Sequence, residues 1–231
     1  MKNTSTLNIV TTPIGNYADI TIRALDSLRN CDYIVCEEIK TARQLINFFQ
    51  IQKELKELNE HNQEQATQEI FYDLIKGSSI SIISDCGTPA FADPGIPLIK
   101  LANDYGVKVN FVHGANSVFA ALSVCGFDIS RFRYIGFLSP KKEKRRQQLH
   151  KLKTIKETFI ILDTPYRLPN LLSDILEYLP ERRVFFALDI TTPNENYFRG
   201  NIETVTNQIK EHFGESKISA EFVCIVEKFR G

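Results

Sequence analysis

The sequence predicts an α/β protein of two domains, and three observations carry that reading. Through the first half, short apolar runs of strand length alternate with helix-length segments, the pattern of a mostly parallel sheet with helices packed on it. In the second half, neighbouring runs can pair antiparallel through a turn near Pro193 and Asn194, so that sheet is expected to be mixed. Gly- and Pro-bearing loops sit at the carboxyl ends of the expected strands, the edge at which open α/β sheets bind ligands. The boundary falls near Asn116, giving an N-terminal domain of residues 1–115 and a C-terminal domain of residues 116–231, with a pocket expected in the cleft between them.

Leu7 to Val10 is the first expected strand, and Thr11 to Asn16 is its exit loop. Asp19 can cap a helix whose Ile22, Leu25 and Leu28 share one face. Tyr33 to Cys36 is a strand ending in Glu37-Glu38. Thr41 to Phe49 is a helix with Leu45, Phe48 and Phe49 on its buried side. Lys53 to Gln68 is polar, a loop or the start of a surface helix that Ile70 to Ile75 completes before Gly77. Ile80 to Ile83 is a buried strand, and Ile96 to Tyr105 a helix that stops at Gly106. Val107 to Val112 is the next strand, and Val118 to Val124 an apolar helix ending at Gly126.

The remaining elements continue in order. Tyr134 to Leu138 is a strand, and a helix from Lys141 runs to about Lys153. Phe159 to Leu162 is a strand, turning through Asp163 to Arg167 into a helix that ends at Leu179. Arg183 to Ile190 is a long strand and Tyr197 to Gly200 a short one. Ile202 to Phe213 is a helix, and Phe222 to Val226 the final buried strand.

Composition narrows the function. Lys+Arg and Asp+Glu both total 28 in 231 residues, so any nucleic-acid surface must be a local patch on a neutral chain. No apolar run approaches the ~20 residues of a membrane span, and Met1 to Thr6 has no signal-peptide pattern. Five cysteines, Cys31, Cys36, Cys86, Cys125 and Cys224, show no C-x-x-C spacing. They point to free thiols in a reducing cytoplasm and to no metal site.

The longest of the strand-end loops is Ser84 to Gly95, more than the roughly 2–6 residues a mere connection needs. Two prolines and two glycines fix its shape and allow close approach to its backbone. Neither G-x-x-x-x-G-K-[ST] nor G-x-G-x-x-G occurs. A ligand gripped by backbone groups in an apolar slot suits these loops better than one cradled by its phosphates.

Several ordered motifs then resemble one family. Thr12-Pro13-Ile14-Gly15-Asn16 with Asp19-Ile20-Thr21 and Arg23-Ala24-Leu25, then Ser84-Asp85, Gly87-Thr88-Pro89 and Asp93-Pro94-Gly95, are similar to its opening and central signatures. Gly136-Phe137-Leu138 with Pro140-Lys141 and Arg145-Arg146, then Thr164 to Leu168, resemble two more. The family is the ribosomal RNA small subunit methyltransferase I family, of the tetrapyrrole-methylase fold group. The resemblance implies S-adenosylmethionine as cofactor, bound in the interdomain cleft, and a homodimer. It implies as substrate a cytidine ribose 2′-hydroxyl in 16S rRNA or the small ribosomal subunit. Three blocks depart from the pattern: Glu37-Glu38-Ile39-Lys40, His113-Gly114-Ala115-Asn116 and Asp163-Thr164-Pro165.

By match to the fold group, Pro13, Gly87, Thr88 and Phe91 would line the cofactor, with Asn116 and Ser117 opposite and Leu162 and Leu188 from the second domain. A ribose hydroxyl needs its proton accepted, and the strand-end carboxylates Glu37, Glu38 and Asp85 are the candidates. Each could equally be a helix cap or a surface ion pair. His113 is read as a polar filler rather than a base. Lys141, Lys142, Arg145 and Arg146 open a helix as a cationic run and are the best candidates for phosphate contact, with Lys40, Arg43 and Arg167 extending the surface. A solvated face is the competing reading of that run. Two other functions stay open: methylation of a tetrapyrrole-like or other small acceptor, and a catalytically silent RNA-binding assembly factor of the same fold.

Overall fold

The computed structural model describes residues 5–91, 94–214 and 217–229. The chain forms two compact units, Met1–Asn116 and Ser117–Gly231.

The first unit holds β1 (Thr6–Val10), α1 (Ile22–Asn30), β2 (Tyr33–Cys36), α2 (Ile39–Phe48), β3 (Leu55–Glu57), α3 (Gln63–Ile75), β4 (Ser79–Ile82), α4 (Ile96–Asp104) and β5 (Lys108–Val112). The strand order is β3-β2-β4-β1-β5 and every pairing is parallel. Successive side chains alternate between two cores, as the pleat requires. Leu7, Ile9, Tyr33, Val35, Ile80 and Ile82 pack with Ile70 and Leu74 of α3 and Leu98 and Ala102 of α4. Val10, Ile34, Cys36 and Ile83 pack on the other face with Ala24 and Leu28 of α1 and Leu45 and Ile46 of α2.

That division places a site. The chain leaves β1 through α1 on one face to reach β2, and leaves β4 through α4 on the opposite face to reach β5. Strands β1 and β4 are neighbours, so their carboxyl ends diverge and leave a crevice, the switch point of an open α/β sheet.

Local starts differ from expectation in instructive ways. Asp19 does not cap α1; it lies in a 3-10 turn, Tyr17–Asp19, capped by Asn16. The cap of α1 is Thr21, whose hydroxyl accepts from the Ala24 amide at 3.1 Å. Helix α2 begins at Ile39, two residues before Thr41, because the Glu38 carboxylate accepts from the Lys40 amide at 3.0 Å. Phe48, expected on the buried side, is 63% exposed and packs edge-on against Tyr17 and Phe49. The polar stretch after Lys53 contains the edge strand β3, three half-buried residues too few to show an alternation.

The second unit holds α5 (Ser117–Val124), β6 (Phe132–Phe137), α6 (Lys142–Leu152), β7 (Thr158–Asp163), α7 (Leu168–Tyr178), β8 (Arg183–Leu188), β9 (Asn196–Asn201), α8 (Ile202–Phe213) and β10 (Phe222–Val226). Its sheet is mixed, in the order β6-β7-β10-β8-β9. Strands β6 and β7 pair parallel and the other pairs are antiparallel. One face, bearing Phe159, Ile161, Phe186, Leu188 and Cys224, is covered by Leu149, Leu171, Ile175, Val205 and Ile209 from α6, α7 and α8. Thus the expected α/β class, with a parallel sheet followed by a mixed one, is what the chain forms.

Candidate functional site

Three loops of the first unit meet at the switch point. Thr12, after β1, donates its amide to the Gly87 carbonyl at 2.9 Å. Its hydroxyl lies 3.3 Å from the Ser84 carbonyl and 3.4 Å from that of Gly87. The Ser84 hydroxyl in turn donates to Cys86 or Gly87. Thr12 and Ser84 are buried, so these bonds close off polar groups that would otherwise be costly there.

Glycine is required at two points of this junction. Gly87 has φ +77°, and a Cβ on it would meet Ile14 at 3.3 Å and the Ala115 carbonyl at 3.9 Å. A Cβ on Gly114 would lie 2.9 Å from the Thr11 Cβ and 3.1 Å from its carbonyl oxygen. The bare backbones let the loops after β1, β4 and β5 touch. Ala90, at φ +60°, is a non-glycine residue held in the left-handed region in the same loop. Beyond it, Ala92 and Asp93 of the central signature lie outside the described residues.

The far side of the junction is polar. The Asn116 side-chain amide donates to the Thr88 hydroxyl at 3.2 Å. Pro13 is buried beside it in sequence with Thr12, Thr88 is half-buried and Phe91 is 42% exposed. So Pro13, Gly87, Thr88, Phe91 and Asn116 all lie on the loops at one sheet edge. No basic residue is among them, which fits a cofactor without phosphates: an adenosyl group takes apolar walls, backbone groups and a few neutral polar side chains. Ser117 opens α5 in the second unit.

Leu162 and Leu188 lie near the carboxyl ends of β7 and β8, on either side of β10, and their side chains point to opposite faces of the sheet. The Leu162 side chain shares the face of Val223 and Ala187. Leu188 is 1% exposed inside the helix-covered core. Its side chain packs in that core, which leaves its backbone as the part that could face a ligand.

The carboxylates divide by role. Glu37 is half-buried at the end of β2. Glu38 caps α2 with its side chain, and its amide donates to Asp85 Oδ1 at 3.3 Å. Burial pushes the Asp85 carboxyl above its ordinary value, and the nearby Glu38 charge pushes the same way, against the lowering effect of that amide bond. Asp85 is exposed at the mouth of this loop, with its carboxyl shifted toward holding a proton. The Cys36 thiol beneath is pushed up to about 12 by burial and by the Asp85, Glu57 and Glu38 charges, so it stays protonated. His113 is exposed, with its ring edge-on to Phe111 at 4.8 Å. Among the described residues, no group of three or more His, Cys, Asp or Glu side chains is placed to hold a metal ion.

The cationic run is not uniform. Lys141, Lys142 and Lys144 are exposed at the start of α6, and Lys40 and Arg43 are exposed on α2. Arg145 is buried, with its Nε donating to Asp174 Oδ2 at 2.6 Å. Arg146 reaches Glu177 at 2.7 Å and lies 3.5 Å from Asp174. Arg167 pairs with the fully buried Asp163 at 2.7 Å. Arg145 is thus buried in an ion pair, and Arg146 and Arg167 also have carboxylate partners, which the exposed lysines of the run do not share with them. Burial holds the Asp163 carboxyl above its ordinary value, partly offset by the Thr164 amide and the Arg167 charge. Sequence reasoning missed Asp174 and Glu177: they sit a helix turn apart on α7, far along the chain from their partners.

The fold and this junction define a class. A family model described as Tetrapyrrole (Corrin/Porphyrin) Methylases matches residues 6–206. The solved structure of diphthine synthase superposes with a TM-score of 0.75 at 16% identity, covering 97% of this chain and 90% of that one. Uroporphyrin-III C-methyl transferase from Thermus thermophilus, complexed with S-adenyl homocysteine, superposes at 0.63 with 15% identity, covering 96% and 97%. The chain is a methyltransferase of the tetrapyrrole-methylase fold.

Sequence relatives narrow the class. The ribosomal RNA small subunit methyltransferase I of Halalkalibacterium halodurans is 37% identical over 96% of this chain and 75% of its own length. The protein of that name from Thermotoga maritima is 36% identical over 95% of this chain and 97% of its own. The chain belongs to the ribosomal RNA small subunit methyltransferase I family, whose methyl donor is S-adenosylmethionine.

Proposed function

We propose that the chain transfers a methyl group from S-adenosylmethionine to the ribose 2′-hydroxyl of a cytidine in 16S rRNA. The observation that supports this most is the match to relatives of that name over almost the whole chain, the cofactor-edge loops and the basic segment included. Pro13, Gly87, Thr88, Phe91 and Asn116 would hold the donor, which supplies an electrophilic methyl group. Transfer forms an O–C bond at the 2′ oxygen as the donor's S–C bond breaks, and the hydroxyl proton must leave. Asp85 accepts it: its raised affinity for a proton makes it a better base than an ordinary carboxylate. Glu38, occupied as a helix cap, orients Asp85 through its amide rather than taking the proton.

The acceptor is read as RNA because three exposed lysines crowd the first turn of α6 in a chain of zero net charge. A small tetrapyrrole-like acceptor would give such a patch no task. The working unit is a homodimer in the cytoplasm. Support for the dimer comes from exposed Phe132, Tyr134 and Phe137. They share the face of β6 that is in register with Thr158, Ile160 and Leu162, away from the helix-covered core. Among the described residues, no helix is long and apolar enough to cross a membrane.

The test is purified protein with S-adenosylmethionine and small ribosomal subunits from cells lacking the activity. Stoichiometric 2′-O-methylation of one cytidine is expected. Turnover that needs no RNA would favour the small-molecule acceptor, and no cofactor binding would favour a silent assembly factor.

A further inference from the structure

We infer that Asp174 is a positioning residue for the RNA-contacting lysines, acting through Arg145; the inference rests on the RNA-acceptor reading. Asp174 lies on α7 and makes no approach to solvent, its side chain being 5% exposed and that of Arg145 6%. The Arg145 guanidinium spans two elements. Its Nε donates to Asp174 Oδ2 at 2.6 Å, and its Nη1 to the Pro140 carbonyl at 3.4 Å. Pro140 immediately precedes Lys141 and Lys142. The buried pair therefore ties the turn that carries the lysines to the helix behind it.

The start of α6 needs such a tie. Its N-cap is Lys141, which makes no side-chain capping bond. Lys142 and Lys144 add cations to the helix end that already carries partial positive charge, an unfavourable placement. Of the charged residues in that turn, Glu143 suits the helix end and the lysines do not. A buried charge pair is likewise weak as a source of stability and better understood as fixing one arrangement. The two features explain each other: cations set where they destabilise a helix start, and an ion pair below that holds that start in place.

Four variants test this, with melting temperature, cofactor affinity, and KM and kcat for the small subunit measured on each. They are the double replacement Arg145→Met/Asp174→Leu, the milder Arg145→Lys, the double Lys141→Gln/Lys142→Gln, and the quadruple combination. The apolar double takes Asp174 from Arg146 but leaves it Glu177, and leaves Asp163 its partner Arg167, so no charge loses its last partner and the variant is expected to fold and bind cofactor normally. Its KM for subunits should rise about tenfold while kcat at saturation holds, and its affinity should lose about the same salt dependence as the lysine double loses. Arg145→Lys should fall between it and the parent, and carries the same readout if the apolar double does not fold. The quadruple variant should be little worse than either double, since the two act through one contact. Unchanged KM in Arg145→Met/Asp174→Leu, or fully additive losses in the quadruple variant, would overturn the role of Asp174. A parent protein that methylates no subunit at all would overturn the acceptor reading and this inference with it.

Discussion

The side-chain amide of Asn116 donates to the Thr88 hydroxyl across 3.2 Å, joining the loop after β5 to the long loop after β4. The two residues are 28 apart in sequence and meet because β4 and β5 flank β1 with all three strands parallel. The bond fixes the polar side of the junction at which the cofactor is proposed to sit.

Asn116→Ala should therefore weaken S-adenosylmethionine binding by about fivefold to tenfold, the worth of one partly buried hydrogen bond. The melting temperature should move little. Titration calorimetry with the donor and its demethylated product checks both ligands at once.

Gly114→Ala should do the reverse, losing stability first. Its new Cβ would stand 2.9 Å from the Thr11 Cβ and 3.1 Å from a backbone oxygen, neither of which can swing aside. A cost of about 1–3 kcal/mol is expected for overpacking of this kind, read as a drop of several degrees in thermal melting.

Asp85 gives the pH dependence. Its carboxyl is raised in the fold, so activity should climb with pH through an apparent value above that of an ordinary aspartate. Asp85→Asn should lower kcat by about 10²–10⁴-fold. The sign for stability is opposite. The folded chain binds this proton more tightly than the unfolded chain, so Asp85 favours folding below its unfolded value, and that contribution is lost as pH rises through its folded value. Asp85→Asn should melt higher than the parent at neutral pH, and the difference should vanish in acid. Melting curves across pH test this without any substrate.

Lys141→Gln, Lys142→Gln and Lys144→Gln should each lower the salt sensitivity of subunit binding by about one counterion and leave cofactor affinity unchanged. Replacing Arg146 instead should act mainly on stability, since its guanidinium is held by Glu177.

Much of this was legible in the chain because apolar runs of four to six residues bounded by Gly, Pro and polar residues carry the sheet architecture. That Thr12-Pro13, Ser84-Asp85 and Gly87-Thr88 lie on loops at one edge of the sheet was legible because strand ends and glycines coincide there. Side-chain direction was not. The run from Arg183 to Leu188 is buried on both faces from Val184 onward, so no alternation marks which way Leu188 points, and it points into the core. Nor was partnership: Arg145 and Arg146 look alike in sequence, and only a helix 29 residues on, placing Asp174 beneath one of them, tells them apart. Sequence alone leaves Glu38 open between base and helix cap. In the fold its carboxylate accepts from the Lys40 amide, a cap that only the backbone geometry reveals.

The most direct measurement of the central claim is a map of ribose methylation in 16S rRNA from cells with the intact protein, without it, and with Asp85→Asn. The account predicts one cytidine 2′-O-methyl group that is present with the intact protein and missing in the other two. A methylation map identical in all three would contradict it.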